Sequence, residues 1–178
     1  MDVFEAIKLR KSVRSYDSKP VPNDVLWKIL ETAQLAPSAA NLQPWHFIVV
    51  TDKMKREKLT KSGYAKFLTE TPVVIVGCGD EEASPKWYRV DVTIAMEHIV
   101  LAATSEGLGT CWVGSFDESV LKEMLKLPDK YRVVALLAVG YPREKLDSEK
   151  MLKLVRKRKR IDEIVSHDEF GKPIAAKD

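Results

Sequence analysis

The hydrophobic positions near the N-terminus recur at helical spacing. Val3, Phe4 and Ile7 lie one to four residues apart, which predicts a short first helix. After Pro22 and Asn23, the same kind of spacing predicts a second, amphipathic helix with Asn23 as its N-cap. The apolar residues of this second helix are Leu26, Ile29, Leu30 and Ala33.

Four short runs that are rich in β-branched residues or continuously apolar predict buried strands. They span residues 46–51, 72–78, 110–113 and 133–139. Because helical segments separate these runs, we expect the sheet to form the middle layer of the fold.

Residues 90–103 predict a helix that is apolar on most of its circumference. A helix without a polar face is buried, either in the core or against another subunit, and the pattern leaves both possibilities open. A further helix is predicted to begin at Asp117 and Glu118, where acids favour the helix N-terminus, and to end before Leu127 and Pro128.

Residues 37–45 form a polar segment between two prolines, Pro-Ser-Ala-Ala-Asn-Leu-Gln-Pro-Trp. Proline ends a helix and restricts the residue before it, so both ends of the segment are expected to be fixed. Ser38, Asn41 and Gln43 offer hydrogen-bonding groups, whereas Ala39 leaves room for a flat partner. The segment therefore predicts either a ligand-holding loop or an ordinary turn between a helix and a strand.

The composition is that of a globular protein. The 178 residues suit one domain, residues 1–178, with a strongly basic C-terminal extension from about residue 151. No apolar run reaches the length of a membrane span, and charges stand where a secretory signal needs an apolar stretch, so we expect a cytoplasmic protein. Cys78 and Cys111 lack metal-ligand or redox spacing and are predicted to be buried thiols; no metal site is predicted.

A basic cluster, Arg-Lys-Ser-Val-Arg, occupies residues 10–14, where the first helix is expected to end. Arginine binds phosphate through two parallel hydrogen bonds, and Ser12 adds a hydroxyl without bulk. The cluster therefore indicates a phosphate site, with a solvated basic patch as the alternative.

A second basic run covers residues 156–160. Such runs are typical of solvated segments or of segments that bind nucleic acid. The net charge is only +3, with 26 acidic residues, which argues against the broad positive field that nucleic-acid binding requires. A single phosphate is the expected partner.

Two glycine-rich stretches have partial similarity to nucleotide-binding loops. Gly77 and Gly79 follow a predicted strand, but Glu82 stands at the third glycine position and would repel a pyrophosphate, so we reject a dinucleotide loop. Gly107 and Gly109 lie between a helix and a strand, where they permit either the close approach of a flat ring or a helix C-cap.

Taken in order, these segments resemble the nitroreductase family of FMN-dependent oxidoreductases. The resemblance rests on the basic cluster at residues 10–14, on Ala-Pro-Ser-Ala-Ala-Asn-Leu-Gln-Pro-Trp at 36–45, on Gly-Leu-Gly-Thr-Cys-Trp-Val-Gly at 107–114 and on the basic tail. It implies an α+β, nitroreductase-like three-layer sandwich with a central, mainly antiparallel sheet flanked by helices. It also implies an intertwined homodimer with two FMN molecules at the interface, which would bury residues 90–103 between subunits.

The same resemblance assigns the flavin contacts. The phosphate would be held by Arg10 and Ser12, and the pyrimidine edge of the ring by Arg14, with the backbone of Lys11 nearby. The loop that reaches the flavin from the other subunit would comprise Pro37, Ser38, Ala39, Asn41 and, as a weaker candidate, Gln43. The strand end along the ring would comprise Trp112, Val113, Gly114 and Ser115. The tail would close on the phosphate with Arg156 and Arg158.

The implied reaction is a ping-pong transfer of hydride from NADH or NADPH, through FMN, to a nitroaromatic, quinone or similar small acceptor. The flavin carries this chemistry, so no catalytic side chain is assigned. Reductive dehalogenation, fragmentation of the flavin, and flavin binding without catalysis are alternatives on the same scaffold. Larger family members have a longer excursion near residues 63–71, so Lys66 or residues 80–88, with Trp87 and Tyr88, are candidates for shaping the substrate pocket.

Overall fold

The centre of the fold is a four-stranded antiparallel sheet with the strand order β1-β2-β4-β3. The computed structural model describes residues 1–59, 65–143 and 158–174. The chain divides into two compact units, Met1–Asp147 and Ser148–Asp178. The strands are β1 (Trp45–Val50), β2 (Val73–Asp80), β3 (Gly109–Val113) and β4 (Tyr131–Gly140). All four predicted strands are confirmed.

The helices flank this sheet and include all four helices that the hydrophobic pattern predicts. They are α1 (Val3–Leu9), α2 (Asn23–Gln34), α3 (Lys53–Leu59), α4 (Tyr88–Ser105) and α5 (Glu118–Leu125), with short 3-10 turns at Ala39–Asn41, Lys66–Thr69 and Ile161–Glu163. The four predicted helices are α1, α2, α4 and α5. The predicted N-cap Asn23 is wrong by one residue, because Pro22 occupies the cap position and Asn23 begins the helix.

Hydrophobic side chains cover both faces of the sheet. Along β2 every residue is buried, and successive side chains enter opposite clusters, so that Val74 and Val76 face one layer and Val73 and Ile75 the other. α2 and α4 pack on the second face. The α+β sandwich with a central antiparallel sheet is therefore confirmed.

The long helix α4 lies directly on β2. A Cβ atom at Gly77 would come within 2.3 Å of the Met96 sulfur, so the glycine allows the helix and the sheet to pack closely. The core alternative for this apolar helix is thus confirmed for its sheet-facing side, where Met96 and Ile99 are fully buried. Val90, by contrast, is 45% exposed in the single chain.

In the second unit, the described residues 158–174 contain an ion pair between Arg160 and Asp162 and a 3-10 turn. Among all described residues, none of the helices combines the length and apolar character that crossing a bilayer would require.

Candidate functional site

The basic cluster at residues 10–14 is docked along the outer edge of β3. Arg10 is the C-cap of α1, and its N–H donates to the Ala6 carbonyl at 2.9 Å. Ser12 forms a parallel bridge with Thr110, and the Val13 N–H donates to the Thr110 carbonyl at 2.8 Å. Side chains alternate between opposite sides of an extended segment. Val13 is buried, and its neighbours Ser12 and Arg14 are accordingly exposed.

Arg14 lies close enough to β3 to act electrostatically on one of its side chains. Burial raises the pKa of the Cys111 thiol, and the positive charge of Arg14 acts in the opposite direction. Cys111 is a free, buried thiol, as is Cys78, which confirms the sequence prediction for both. The structure therefore brings together two of the predicted groups, the basic cluster and the third strand.

The predicted residues at the end of β3 pass from the core to the surface. Trp112 is half-buried and Val113 is buried, whereas Gly114 and Ser115 are exposed. A Cβ atom at Gly114 would have no neighbour within 4 Å, so open space lies beside the backbone there. A flat group could approach this strand end without meeting a side chain at residue 114.

The segment after Ser115 is fixed to β4 by a partly exposed ion pair. Glu118 at the start of α5 accepts hydrogen bonds from Arg132 Nε at 2.9 Å, from Arg132 Nη2 at 2.8 Å and from the Val133 N–H at 2.9 Å. Burial raises the pKa of Glu118, but these hydrogen bonds outweigh it and hold the pKa below its usual range. This ion pair anchors the start of α5 to β4.

The polar loop at residues 37–43 has a strained backbone. Ala40, Asn41 and Gln43 have φ angles of 48°, 55° and 48°, in the left-handed region that non-glycine residues rarely adopt. For Ala40 and Gln43 this conformation costs on the order of 1–2 kcal/mol each, whereas asparagine tolerates it at lower cost. The Ser38 hydroxyl accepts the Gln43 N–H at 2.9 Å, and the Asn41 N–H donates to the Ser38 carbonyl at 3.0 Å. The loop is thus a defined structure, and Asn41 and Gln43 are exposed on it.

This loop and the basic cluster approach opposite edges of the sheet. The loop leads into β1, whereas the cluster runs beside β3, and β2 and β4 lie between them. The three interstrand spacings from β1 to β3 correspond to about 14 Å. Trp45 pairs with Gly79 near the end of β2, and the same end of the sheet holds the last residues of β3. The loop and the last residues of β3 therefore lie toward one end of the sheet, whereas Ser12 lies beside Thr110, which pairs with Val139 near the other end.

A small apolar groove of about 280 Å³ separates the loop from the N-terminal part of α4. It is lined by Pro37, Ser38, Ala39, Trp87, Val90, Asp91 and Ile94. Trp87 is 53% exposed, but Tyr88 is buried with its ring against Gly79, so only Trp87 of these two aromatics faces the groove. Lys66 is exposed in a 3-10 turn.

The structure describes one of the two predicted tail residues. Arg158 belongs to the second unit, in which it is exposed. Arg156 lies outside the described residues, so its assignment stays a prediction. A larger cleft of about 600 Å³ opens where β1 ends and β2 begins, and none of the predicted site residues lines it.

Solved structures of similar proteins superpose on most of this chain. The protein resembles an FMN-dependent nitroreductase from Clostridium difficile R20291, with a TM-score of 0.80 and 32% identity over 94% of this chain and 99% of that one. A nitroreductase family protein from Clostridium novyi NT superposes with a TM-score of 0.77 at 34% identity, covering 97% of each chain. A predicted NADH dehydrogenase/NAD(P)H nitroreductase from Methanothermobacter thermautotrophicus is 37% identical over 151 residues, or 81% of this chain and 79% of that protein.

More distant relatives carry other activities in their names. They include a 5,6-dimethylbenzimidazole synthase from Rhodospirillum rubrum, 28% identical over 76% of this chain and 79% of that protein. An iodotyrosine deiodinase from Thermotoga neapolitana is 26% identical over 79% of this chain and 88% of that protein. The sequence model of the nitroreductase family matches residues 7–63 and 60–141, and the chain belongs to that family.

Proposed function

We propose that this protein is an FMN-dependent oxidoreductase that takes hydride from NADH or NADPH and reduces a small acceptor such as a nitroaromatic or a quinone. The observation that carries the proposal is the docking of the basic cluster along β3, the strand whose last residues lead into the exposed Gly114 and Ser115. Family membership and the FMN and NAD(P)H in the names of relatives support the choice of cofactor and reductant.

The described residues fit an FMN molecule. Arg10 supplies a guanidinium group and Ser12 a hydroxyl from one short segment, which suits a phosphate dianion, and Arg14 adds a second guanidinium group for the ring. The open space beside Gly114 suits a flat ring system along the strand end. The loop at residues 37–43 offers the Asn41 and Gln43 amides, which can donate to and accept from the polar edge of such a ring.

When bound, FMN supplies the hydride chemistry that no side chain of this protein provides. The protein's own residues would orient the reactants and place charge. Arg10 and Ser12 would hold the phosphate, and Arg14 would place positive charge beside the pyrimidine edge, where negative charge develops on reduction. Trp112 and Val113 would fix one wall of the site through their backbone. The reductant and the acceptor would use the same open face in turn.

We propose further that the protein acts as a homodimer in which each site takes its basic cluster from one chain and its loop from the other. The placement of these two groups at opposite edges of one sheet supports this arrangement. The exposed apolar residues of α1 also support it, because Val3, Phe4 and Ile7 are 56%, 70% and 53% exposed in the single chain. Contiguous exposed apolar surface is typical of subunit interfaces.

The names of the deiodinase and the dimethylbenzimidazole synthase favour a second candidate function, in which the same flavin site removes halogen reductively or fragments a flavin. The shortness of residues 63–71 and the exposure of Trp87 leave room for acceptors of several shapes. Nitroaromatic and quinone reduction remains our leading proposal because the more similar relatives carry nitroreductase names.

The test is spectroscopic. The purified protein, loaded with FMN and freed of excess, is mixed with NADH or NADPH without oxygen, and the flavin absorbance is followed. We expect bleaching by at least one of the two, and recovery of the absorbance on adding a nitroaromatic or a quinone. Bound flavin that neither nucleotide bleaches would contradict the oxidoreductase function. Recovery with an iodinated phenol and not with nitroaromatics or quinones would favour the second candidate.

A further inference from the structure

A single hydrogen bond ties the strained loop to helix α4. The Ala39 N–H donates to Asp91 Oδ1 at 3.2 Å, across 52 residues of sequence. Within residues 1–59, 65–143 and 158–174, it is the one hydrogen bond that joins residues 37–43 to another part of the chain. Ala39 directly precedes the strained residues Ala40 and Asn41.

Asp91 is an unusual choice for its position. It is 2% exposed, and its second carboxylate oxygen, Oδ2, is buried without a hydrogen-bond partner among the described residues. A buried carboxylate with an unmet oxygen destabilises a fold relative to an apolar residue of similar size. Its place in the first turn of α4 offsets part of this cost, because the helix N-terminus favours negative charge. Stability alone does not account for a carboxylate here.

We infer that Asp91 is a positioning residue for the flavin site, which it serves by holding the loop in its strained conformation through Ala39. Strained backbone persists only where surrounding contacts determine it. Without the acceptor at Asp91, the turn that begins at Ala39 can relax, and Ser38, Asn41 and Gln43 lose the arrangement in which they would meet the flavin. The inference rests on the proposed function, since the loop is assigned to the flavin only there.

The test measures FMN affinity and apoprotein stability separately. Apoprotein is titrated with FMN, and binding is read from flavin fluorescence; unfolding of the apoprotein in urea is followed by circular dichroism. Asp91→Ala is expected to raise the Kd for FMN about tenfold or more, whereas Asp91→Asn, which keeps an acceptor oxygen, should bind within about threefold of wild type. Rescue by the amide distinguishes loop positioning from a general loss of fold.

A matched control lies three residues earlier on the same helix. The Tyr88 hydroxyl is also buried and has no hydrogen-bond partner among the described residues, so Tyr88→Phe should leave the Kd for FMN unchanged. A second variant removes the donor instead of the acceptor: Ala39→Pro deletes the N–H at the first residue of a 3-10 turn, where proline is tolerated. Combined with Asp91→Ala, it should weaken binding no further than either change alone.

The outcomes separate the two proposals. Wild-type protein that binds no FMN overturns the proposed function, and the role of Asp91 with it. Wild-type binding together with an unchanged Kd for Asp91→Ala overturns the role of Asp91 alone, as does equal weakening by Asp91→Asn and Asp91→Ala. If Asp91→Ala does not fold, Ala39→Pro decides: weakened binding with unchanged apoprotein stability supports the role, and an unchanged Kd overturns it.

Discussion

Val13 lies directly against Gly109. A Cβ atom at residue 109 would come within 2.6 Å of Val13 Cγ2, which is closer than side-chain atoms approach one another. This contact and the hydrogen bond from the Val13 N–H to the Thr110 carbonyl hold the basic cluster against β3. Gly109, the first residue of β3, therefore has a packing role, whereas Gly107, whose φ is 74°, has a helix-capping role.

Gly109→Ala should destabilise the apoprotein by about 1–3 kcal/mol, because Val13 is 1% exposed and has no room to move away. FMN affinity should fall as well, since the cluster on either side of Val13 is displaced. Urea unfolding and FMN titration measure the two effects. The control is Gly114→Ala, whose Cβ enters open space and should change stability by less than about 0.5 kcal/mol. Equal stability of both variants and wild type would disprove the close packing.

Glu118→Gln should destabilise the protein by about 1–2 kcal/mol at pH 7, because the two charge-assisted hydrogen bonds from Arg132 are weakened. The folded pKa of Glu118 lies below its usual value of 4.5. The unfolded chain therefore binds this proton more readily than the folded chain. The stability that the carboxylate contributes is complete above pH 4.5 and is lost as the pH falls through the folded pKa.

The measurement for this prediction is urea unfolding of wild type and Glu118→Gln between pH 7 and pH 3. The difference in unfolding free energy between the two proteins should shrink as the pH falls below 4.5. Glu123→Gln is a suitable control, because Glu123 lies on the same helix α5 and is exposed. A difference that stays constant across this pH range would show that the Glu118 carboxylate is not responsible.

Both cysteines should be unreactive in the folded protein. Burial, with a smaller contribution from Glu118, raises the pKa of Cys78 to about 12, and burial also raises the pKa of Cys111. At pH 8 about one Cys78 thiol in ten thousand would be ionised, and the thiolate is the reactive form. Ellman's reagent at pH 8 should thus react at least 100-fold more slowly than with a free thiol, and denaturant should release two equivalents. One fast equivalent in native buffer would contradict this burial.

The sequence predicted most where hydrophobic burial decides the structure. The four strands are mostly apolar and helix α4 is apolar on most of its circumference, so their positions follow from the hydrophobic pattern. Helix α3 was missed because Lys-Met-Lys-Arg-Glu-Lys-Leu has little apolar periodicity. Its position depends on tertiary contacts, in which Arg56 donates to the carbonyls of Thr69 and Thr71.

The polar loop was recognised as a unit, but its backbone was not. Asparagine tolerates positive φ, so Asn41 gave a weak signal, whereas Ala40 and Gln43 gave none. The sequence does not predict the link to Asp91, because a single acid in an apolar helix does not reveal from which distant N–H it accepts a hydrogen bond. Such contacts depend on how α4 and the loop meet, which local sequence does not encode.

Replacing both Arg10 and Ser12 by alanine should weaken FMN binding about 10- to 100-fold, because it removes charge-assisted hydrogen bonds to the phosphate. Binding of riboflavin, which lacks the phosphate, should change little, and this internal control separates loss of a phosphate contact from loss of the whole site. Fluorescence titration with both flavins measures the effect. If both affinities fall equally, the cluster does not hold the phosphate.

Mixed dimers test whether one site uses two chains. Asn41→Asp places a negative charge on the loop, which should weaken flavin binding. Aspartate tolerates the positive φ of this position, so the fold should be retained. Dimers of either Asn41→Asp or Arg10→Ala alone carry two damaged sites.

If the loop and the cluster of one site come from different chains, a mixed dimer with one Asn41→Asp chain and one Arg10→Ala chain has one doubly damaged and one intact site. Co-expression with two affinity tags, followed by FMN titration, should recover about half of the wild-type sites at wild-type affinity. No recovery would place both groups in the same chain, despite their position at opposite edges of the sheet.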